Sequence, residues 1–287
     1  MIRRAVMLVL LSACVDTGQA RVAVPLYLAG VDLASPISTA DGSELTLDRA
    51  ELAFGPLYLC AGNTAGELCE TARLEWLQTR VVDLMSEQPE RVGELDGVSG
   101  AVRSFMYDLG ISSQLTRDQP YVLEAARALD GASFRVSGRA LIGGASATFS
   151  ASLPIQQTEG TESGVPVIRK STSERFSHEV GPDEPGLLVR FDASSWLRGV
   201  DLRGYLEDRT CSPNGPQRVC TGPVEQRCAS DGSQLEKRDC NALGQVCLAS
   251  LGCSSELSIE PDSEAYRALR NGLLVGGRPE FEWGFVP

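Results

Sequence analysis

A single histidine, His178, serves all 287 residues, and that scarcity removes much familiar machinery at the outset. Zinc peptidases set two histidines on one helix face, so one imidazole cannot build their metal site. A Ser-His-acid relay needs only one, yet Ser177-His178-Glu179-Val180 has no G-x-S-x-G elbow to go with it, and we read His178 as an exposed or strand-end residue. Neither a Walker loop nor G-x-G-x-x-G is present, which leaves nucleotide chemistry without support. No apolar run approaches the roughly 20 residues that a membrane-spanning helix needs. Positive charge is also short: 26 basic residues stand against 38 acids, a formal charge of −12, which argues against a nucleic-acid partner. The acids are dispersed rather than blocked, as on a solvated surface. The alternating Asp and Asn ligands of a calcium loop are missing, so Asp41-Gly42-Ser43 and Asp231-Gly232-Ser233 read as turns. Sequence therefore assigns no catalytic residue, no metal ligand and no cofactor, and it points away from an enzyme. A carboxylate-dependent hydrolase with its acids in an end-loop cleft stays open, because no pair can be singled out of 38.

What is present begins with Met1-Ile2-Arg3-Arg4, an apolar stretch from Ala5 to Leu11, and Ser12-Ala13-Cys14. A basic head, a short apolar core and small residues form the grammar of an export signal. Leu11-Ser12-Ala13-Cys14 resembles the lipobox of bacterial lipoproteins, where the thiol is acylated and the chain is cut just before it. That resemblance implies a signal peptide over 1–13, lipid on Cys14 and a tether over 14–21. It also implies a cell-envelope address, with the outer membrane mildly preferred. Each buried methylene contributes about 0.8 kcal/mol, so two or three acyl chains would hold the protein firmly on a membrane. Loss of Arg3 and Arg4 with the signal would deepen the formal charge from −12 to −14.

Eight of the nine cysteines remain when Cys14 is set aside, and an even number in an exported chain favours disulfides over free thiols or metal. Cys60 and Cys69 flank a polar, glycine-containing loop, which suggests a local bridge. The other six, Cys211, Cys220, Cys228, Cys240, Cys247 and Cys253, follow the spacing C-x8-C-x7-C-x11-C-x6-C-x5-C. With no C-x2-C and no histidine among them, this is a disulfide-stapled module rather than a zinc or iron–sulfur site. Six cysteines allow fifteen connectivities. Spacing does not choose among them, although Cys247 and Cys253 are close enough in sequence for a local bridge. The stretch from Cys240 to Cys253 resembles short cysteine-rich repeats of secreted bacterial proteins.

Over residues 22–210 apolar residues tend to alternate, and Gly, Pro, Asp and Ser interrupt them at short intervals, which predicts strands. Expected strands run from Val22 to Ala29, Glu44 to Phe54, Leu57 to Cys60, Trp76 to Met85, Val102 to Leu109, Ser133 to Ile142, Ala147 to Ile155 and Leu187 to Phe191. Gly143-Gly144-Ala145 should turn the sixth into the seventh as a hairpin. The fold class that follows is mainly β, an antiparallel β-sandwich over 22–210. The disulfide-rich module over 211–253 would be inserted in a loop as a projecting knob, and 254–287 would complete the β domain. In that last segment Ser263 to Leu274 is a helix that Asp262 or Ser263 could cap, with Ala265, Tyr266, Leu269 and Leu273 on one face. Phe281, Trp283 and Phe285 alternate along a final strand and should form one core-facing stripe.

Three segments invite a second comparison: Glu44 to Leu52, Ser104 to Gly110, and Phe191-Asp192-Ala193-Ser194-Ser195-Trp196. Their layout resembles that of the MbnP-like periplasmic proteins, β-rich copper-associated partners of the methanobactin system. The resemblance implies copper handling or a redox partnership, for which His178, Met85 and Met106 would be the ligand supply and Trp196 a redox-active or, more simply, a buried side chain. The residues themselves favour a non-enzymatic binding or structural role, with the membrane, and an envelope protein or glycan, as partners.

Overall fold

The computed structural model describes residues 18–33, 36–63, 69, 72–112, 121–154, 168–171, 176–249 and 251–287. Cys14 and its surroundings lie outside these residues.

Two sheets face each other across one core. The larger runs in the order Ile168–Ser171, Ser104–Tyr107, Leu57–Cys60, Ala72–Trp76, Glu90–Val98, Arg21–Gly30, Leu187–Phe191, Glu280–Trp283. The other runs Ile37–Ser38, Glu44–Phe54, Phe134–Ile142, Ala145–Leu153, Glu256–Ser258, with Arg80–Asp83 also paired to Glu44–Phe54. Pairing is antiparallel except at two places: Arg21–Gly30 beside Leu187–Phe191, and Ala145–Leu153 beside Glu256–Ser258. The protein is thus mainly β, in a sandwich-like arrangement. Alternation drives it. Val22, Val24, Leu26 and Leu28 are buried from one sheet, and Leu45, Leu47, Leu52, Phe134 and Val136 meet them from the other. The expected hairpin pairs Ile142 with Ala145 across Gly143 and Gly144, whose φ angles of 57° and 87° suit a tight two-residue turn that only glycine enters easily.

Several expected boundaries move, each for a local reason. The strand expected from Trp76 to Met85 is two strands: Ala72–Trp76 belongs to the larger sheet and Arg80–Asp83 to the other, with 77–79 crossing between them. Val102 to Leu109 also divides, into Gly100–Val102 and Ser104–Tyr107. Glu90–Val98 is a nine-residue strand with no alternating signature, because the register slips opposite Leu26 and Tyr27 and Val92 is the extra residue. A bulge of this kind breaks the two-residue period on which strand recognition relies.

Helix occurs where capping and burial agree. Ser263 caps Glu264–Asn271 by accepting from the Tyr266 N–H at 3.0 Å, and Ala265, Tyr266 and Leu269 are buried. One π turn, Gly272–Gly276, then carries Leu273 into the same core. A short helix, Ala193–Leu197, buries Trp196, whose Nε1 donates to the Gly277 carbonyl at 2.9 Å. No described helix is long and apolar enough to cross a membrane.

The cysteine-rich segment builds its own three-stranded sheet, Arg218–Thr221, Val224–Cys228 and Gln234–Asp239, followed by a hairpin of Val246–Leu248 and Gly252–Ser254. Disulfides join Cys60–Cys69, Cys211–Cys228, Cys220–Cys247 and Cys240–Cys253. The local bridge between Cys247 and Cys253 does not form. These two stand directly opposite each other in the hairpin, on one face, and their sulfurs bond outward to Cys220 and Cys240 instead. Nor does the segment stand clear of the sandwich, since Val246 and Leu248 are buried in the main core and the Ala249 N–H donates to the Tyr205 carbonyl at 2.8 Å.

Candidate functional site

The lone histidine sits where three pieces of chain meet at one end of the larger sheet. His178–Val180 pairs antiparallel with Gly100–Val102, placing His178 opposite Val102. Its Nε2 lies 2.8 Å from Oε2 of Glu184, a carboxylate only 8% exposed. Its ring stacks on Trp283 at 4.5 Å between centroids and 11° between planes. The final strand supplies that tryptophan, so the C-terminal edge of the sheet fixes the orientation of the imidazole.

Behind this stack the aromatic side chains continue inward. Phe176 is buried and lies 6.3 Å from Trp283, 4.8 Å from Phe281 and 4.9 Å from Phe105. Phe105 stacks on Tyr107 at 6.1 Å, Tyr107 meets Phe54 at 5.3 Å, and Phe54 stacks on Trp76 at 6.2 Å. Burial pushes the Tyr107 phenol well above its ordinary value despite the opposing pull of Arg278, so it remains a neutral donor across the physiological range. Phe281 and Trp283 thus form the aromatic stripe that alternation predicted. Phe285 does not join it. Gly284 takes a φ of 74°, which redirects the chain, and Phe285 packs edge-on against Tyr27 at 5.0 Å in a separate cluster.

In front of His178 is an open cleft of about 350 Å³ lined by Asn63, Ala101, Val102, Arg103, Ser177, His178 and Glu179. Asn63, just after Cys60, is part of that lining. Residues 60–63 are tied to the sheet by the Arg103 N–H, which donates to the Cys60 carbonyl at 2.9 Å, and by the Ser104 hydroxyl, which donates to the Gly62 carbonyl. The lining is polar and mixed in charge. Such a cleft can accept several hydrogen-bonding groups of a ligand, while its histidine is held by stacking and by Glu184 rather than paired with a nucleophile.

The remaining sequence candidates are dispersed. Trp196 is 2% exposed and packs edge-on against Phe134 at 5.2 Å, a core role. Met106 is buried on the Ser104–Tyr107 strand, whereas Met85 is exposed in a turn where its N–H donates to Asp83 at 2.9 Å. The ion pair and ring contact recorded for His178 involve Glu184 and Trp283, not a methionine. Among the described residues one group of acid and sulfur atoms lies close enough to suggest a metal, Glu225 with Cys240 and Cys253, but both sulfurs belong to one disulfide and a single carboxylate is left to offer. Asp41 and Asp231 act in turns as expected, Asp231 accepting from the Ser233 N–H at 2.8 Å. Sequence reasoning missed Glu184 and Trp283 as partners of His178, because six and more than one hundred residues of separation carry no local signal.

No protein-family model matches this chain, and no curated protein is significantly similar to it. Among solved structures it is similar to MbnP from Methylosinus trichosporium, at 15% identity over 64% of this chain and 79% of that one, with a TM-score of 0.30. A likeness this slight transfers neither a residue nor a role.

Proposed function

We propose that this chain is a non-enzymatic binding protein of the cell envelope, held on a membrane by lipid on Cys14 after a cut before that residue. The observation that carries the binding role is the cleft at His178. Its walls offer donors and acceptors from three separate segments, and its only imidazole is fixed as part of a wall. Four disulfides support the address, since such bonds persist outside the reducing cytoplasm. The outer membrane is the preferred leaf of that envelope, and an envelope protein or a glycan is the partner that the polar lining suits. Protease treatment of intact and of permeabilised cells, followed by peptide mapping, tests the address: the untreated chain should fractionate with membranes, and protease should release peptides from 176–287. Recovery of the chain from the cytosol alone would contradict it.

One observation favours a second reading, copper handling or redox partnership. The aromatic series from Trp283 through Phe176, Phe105, Tyr107 and Phe54 to Trp76 links the His178 cleft to the centre of the sandwich with no centroid gap above 6.3 Å. Metal analysis after growth in copper decides between the readings. Stoichiometric metal that His178→Ala abolishes supports the second, and metal-free protein dismisses it.

A further inference from the structure

A separate cluster of charge lies on the small sheet of the cysteine-rich segment, away from the His178 cleft. Antiparallel register puts Arg218 directly opposite Arg227, Arg227 opposite Glu236, and Glu225 opposite Arg238. All five side chains therefore share one face. Together with Lys237 they line a small concavity of about 80 Å³. The lining brings four cations against two carboxylates, in a chain whose formal charge is −12.

Two features set this face apart from an ordinary solvated one. Like charges directly opposed across a ladder are destabilising, yet Arg218 and Arg227 hold that relation. The two carboxylates also pair with only two of the four cations. Glu225 is 5% exposed and is engaged by the Cys253 N–H at 3.1 Å and by Arg218 at 3.6 Å, while Glu236 is 3.4 Å from Arg227. Among the described residues Arg238 and Lys237 make no ion pair, and Gln234–Asp239, which carries them, is exposed along its whole length. Each arginine of the opposed pair has one carboxylate beside it, so the surplus of positive charge on this face lies with Arg238 and Lys237. The strands that carry the cluster are stiff, because Cys211–Cys228 and Cys220–Cys247 each tie one of them to another part of the segment.

From this arrangement we infer that the face is a binding site for a phosphoryl group. The concavity has room for a tetrahedral oxyanion. Planar guanidinium groups match the oxygen spacing of phosphate and bind it with paired N–H donors, and Arg218 and Arg227, both more than half exposed, each meet a carboxylate through one nitrogen. Glu225 orients Arg218 from beneath, and Glu236 does the same for Arg227 while competing with the ligand for it. The phosphoryl group could be free in solution or part of a lipid headgroup, and the chemistry of recognition is the same.

The test uses the full chain with Cys14→Ser, so that no lipid on residue 14 carries it to vesicles. One arm titrates inorganic phosphate at low ionic strength, followed by calorimetry. The other measures sedimentation with phosphatidylglycerol vesicles against phosphatidylcholine vesicles. Binding in either arm supports the site, and the arm in which it occurs identifies the source. Arg238→Gln, at an exposed position with no ion pair to lose, removes the cation without setting a second carboxylate opposite Glu225, and should weaken binding by about tenfold or more with the thermal midpoint unchanged. Glu236→Gln should tighten it, since a competing carboxylate is removed. Absence of binding in both arms, or binding that Arg238→Gln leaves unaltered, would overturn the inference.

Discussion

Trp283 offers the sharpest test of how the cleft is held, because two substitutions there should have unequal effects. Its ring carries His178 on one side and approaches Phe176 on another, and its backbone pairs with Leu187 at the edge of the larger sheet. Its Nε1, however, is buried with no hydrogen-bond partner. Truncating a fully buried aromatic to alanine costs about 3–5 kcal/mol. Trp283 is only half-buried, so about 2–3 kcal/mol is expected for Trp283→Ala, including about 1 kcal/mol for the lost ring stack. Trp283→Phe keeps a ring against His178 and removes an unsatisfied buried donor, whose desolvation costs about 1–3 kcal/mol. That gain offsets most of the lost volume, and the substitution should fall within about 1 kcal/mol of the parent. Guanidinium unfolding measures both. Proton spectra add a direct reporter, because one histidine gives one imidazole Cε1–H resonance: it should move strongly in Trp283→Ala and modestly in Trp283→Phe. An unmoved resonance in the alanine variant, or equal destabilisation by the two, would refute the argument.

Further outcomes follow from the same contacts. A Cβ at Gly277 would lie 2.0 Å from Nε1 of Trp196 and 2.3 Å from Oγ of Ser195, so Gly277→Ala should lose about 2–4 kcal/mol in equilibrium unfolding through overpacking and the broken Trp196 bond. Removing the helix cap with Ser263→Ala should cost about 1 kcal/mol, read as a lower thermal midpoint with the sheet signal intact. Asp41 gives a pH dependence: burial pulls its carboxyl up, but donors from Thr39, Ser43 and the Leu202 N–H outweigh that and hold it below the ordinary value near 3.8. A depressed folded-state value means stability that is present above the unfolded value and lost as pH falls through the folded one. The difference between the parent and Asp41→Asn should therefore be constant near neutrality and shrink below about pH 4; a constant difference down to acid unfolding would contradict it. Opening Cys220–Cys247, which spans 27 residues, with a Cys220→Ala and Cys247→Ala pair should cost about 3 kcal/mol in chemical unfolding, and more than the equivalent change at Cys60–Cys69, which spans 9.

The sheets were legible wherever the two-residue period was clean. Glu44–Phe54, Leu57–Cys60 and Leu187–Phe191 appear with the bounds that their alternation predicts, and Gly143-Gly144 announced the hairpin beside them. Legibility failed where geometry departs from that period, as at the bulge around Val92 and the change of sheet at 77–79. The two parallel pairings were equally hidden, since they join strands more than one hundred residues apart. The Cys60–Cys69 bridge was local enough to infer. Cys220–Cys247 and Cys240–Cys253 depend on how a hairpin stacks over a three-stranded sheet, which spacing does not encode. The cleft follows the same division. His178 stood out because it is unique, but Glu184, Trp283 and the loop at Asn63 reach it only through tertiary packing.

Intact-mass spectrometry of the protein extracted from native membranes, before and after reduction, bears on the proposed role most directly. The account predicts a chain starting at Cys14, heavier than its sequence by a diacylglyceryl group with or without an N-acyl chain, and a gain of eight hydrogen atoms on reduction as four disulfides open. A chain with an unmodified thiol at position 14, or one whose mass does not change on reduction, would contradict it.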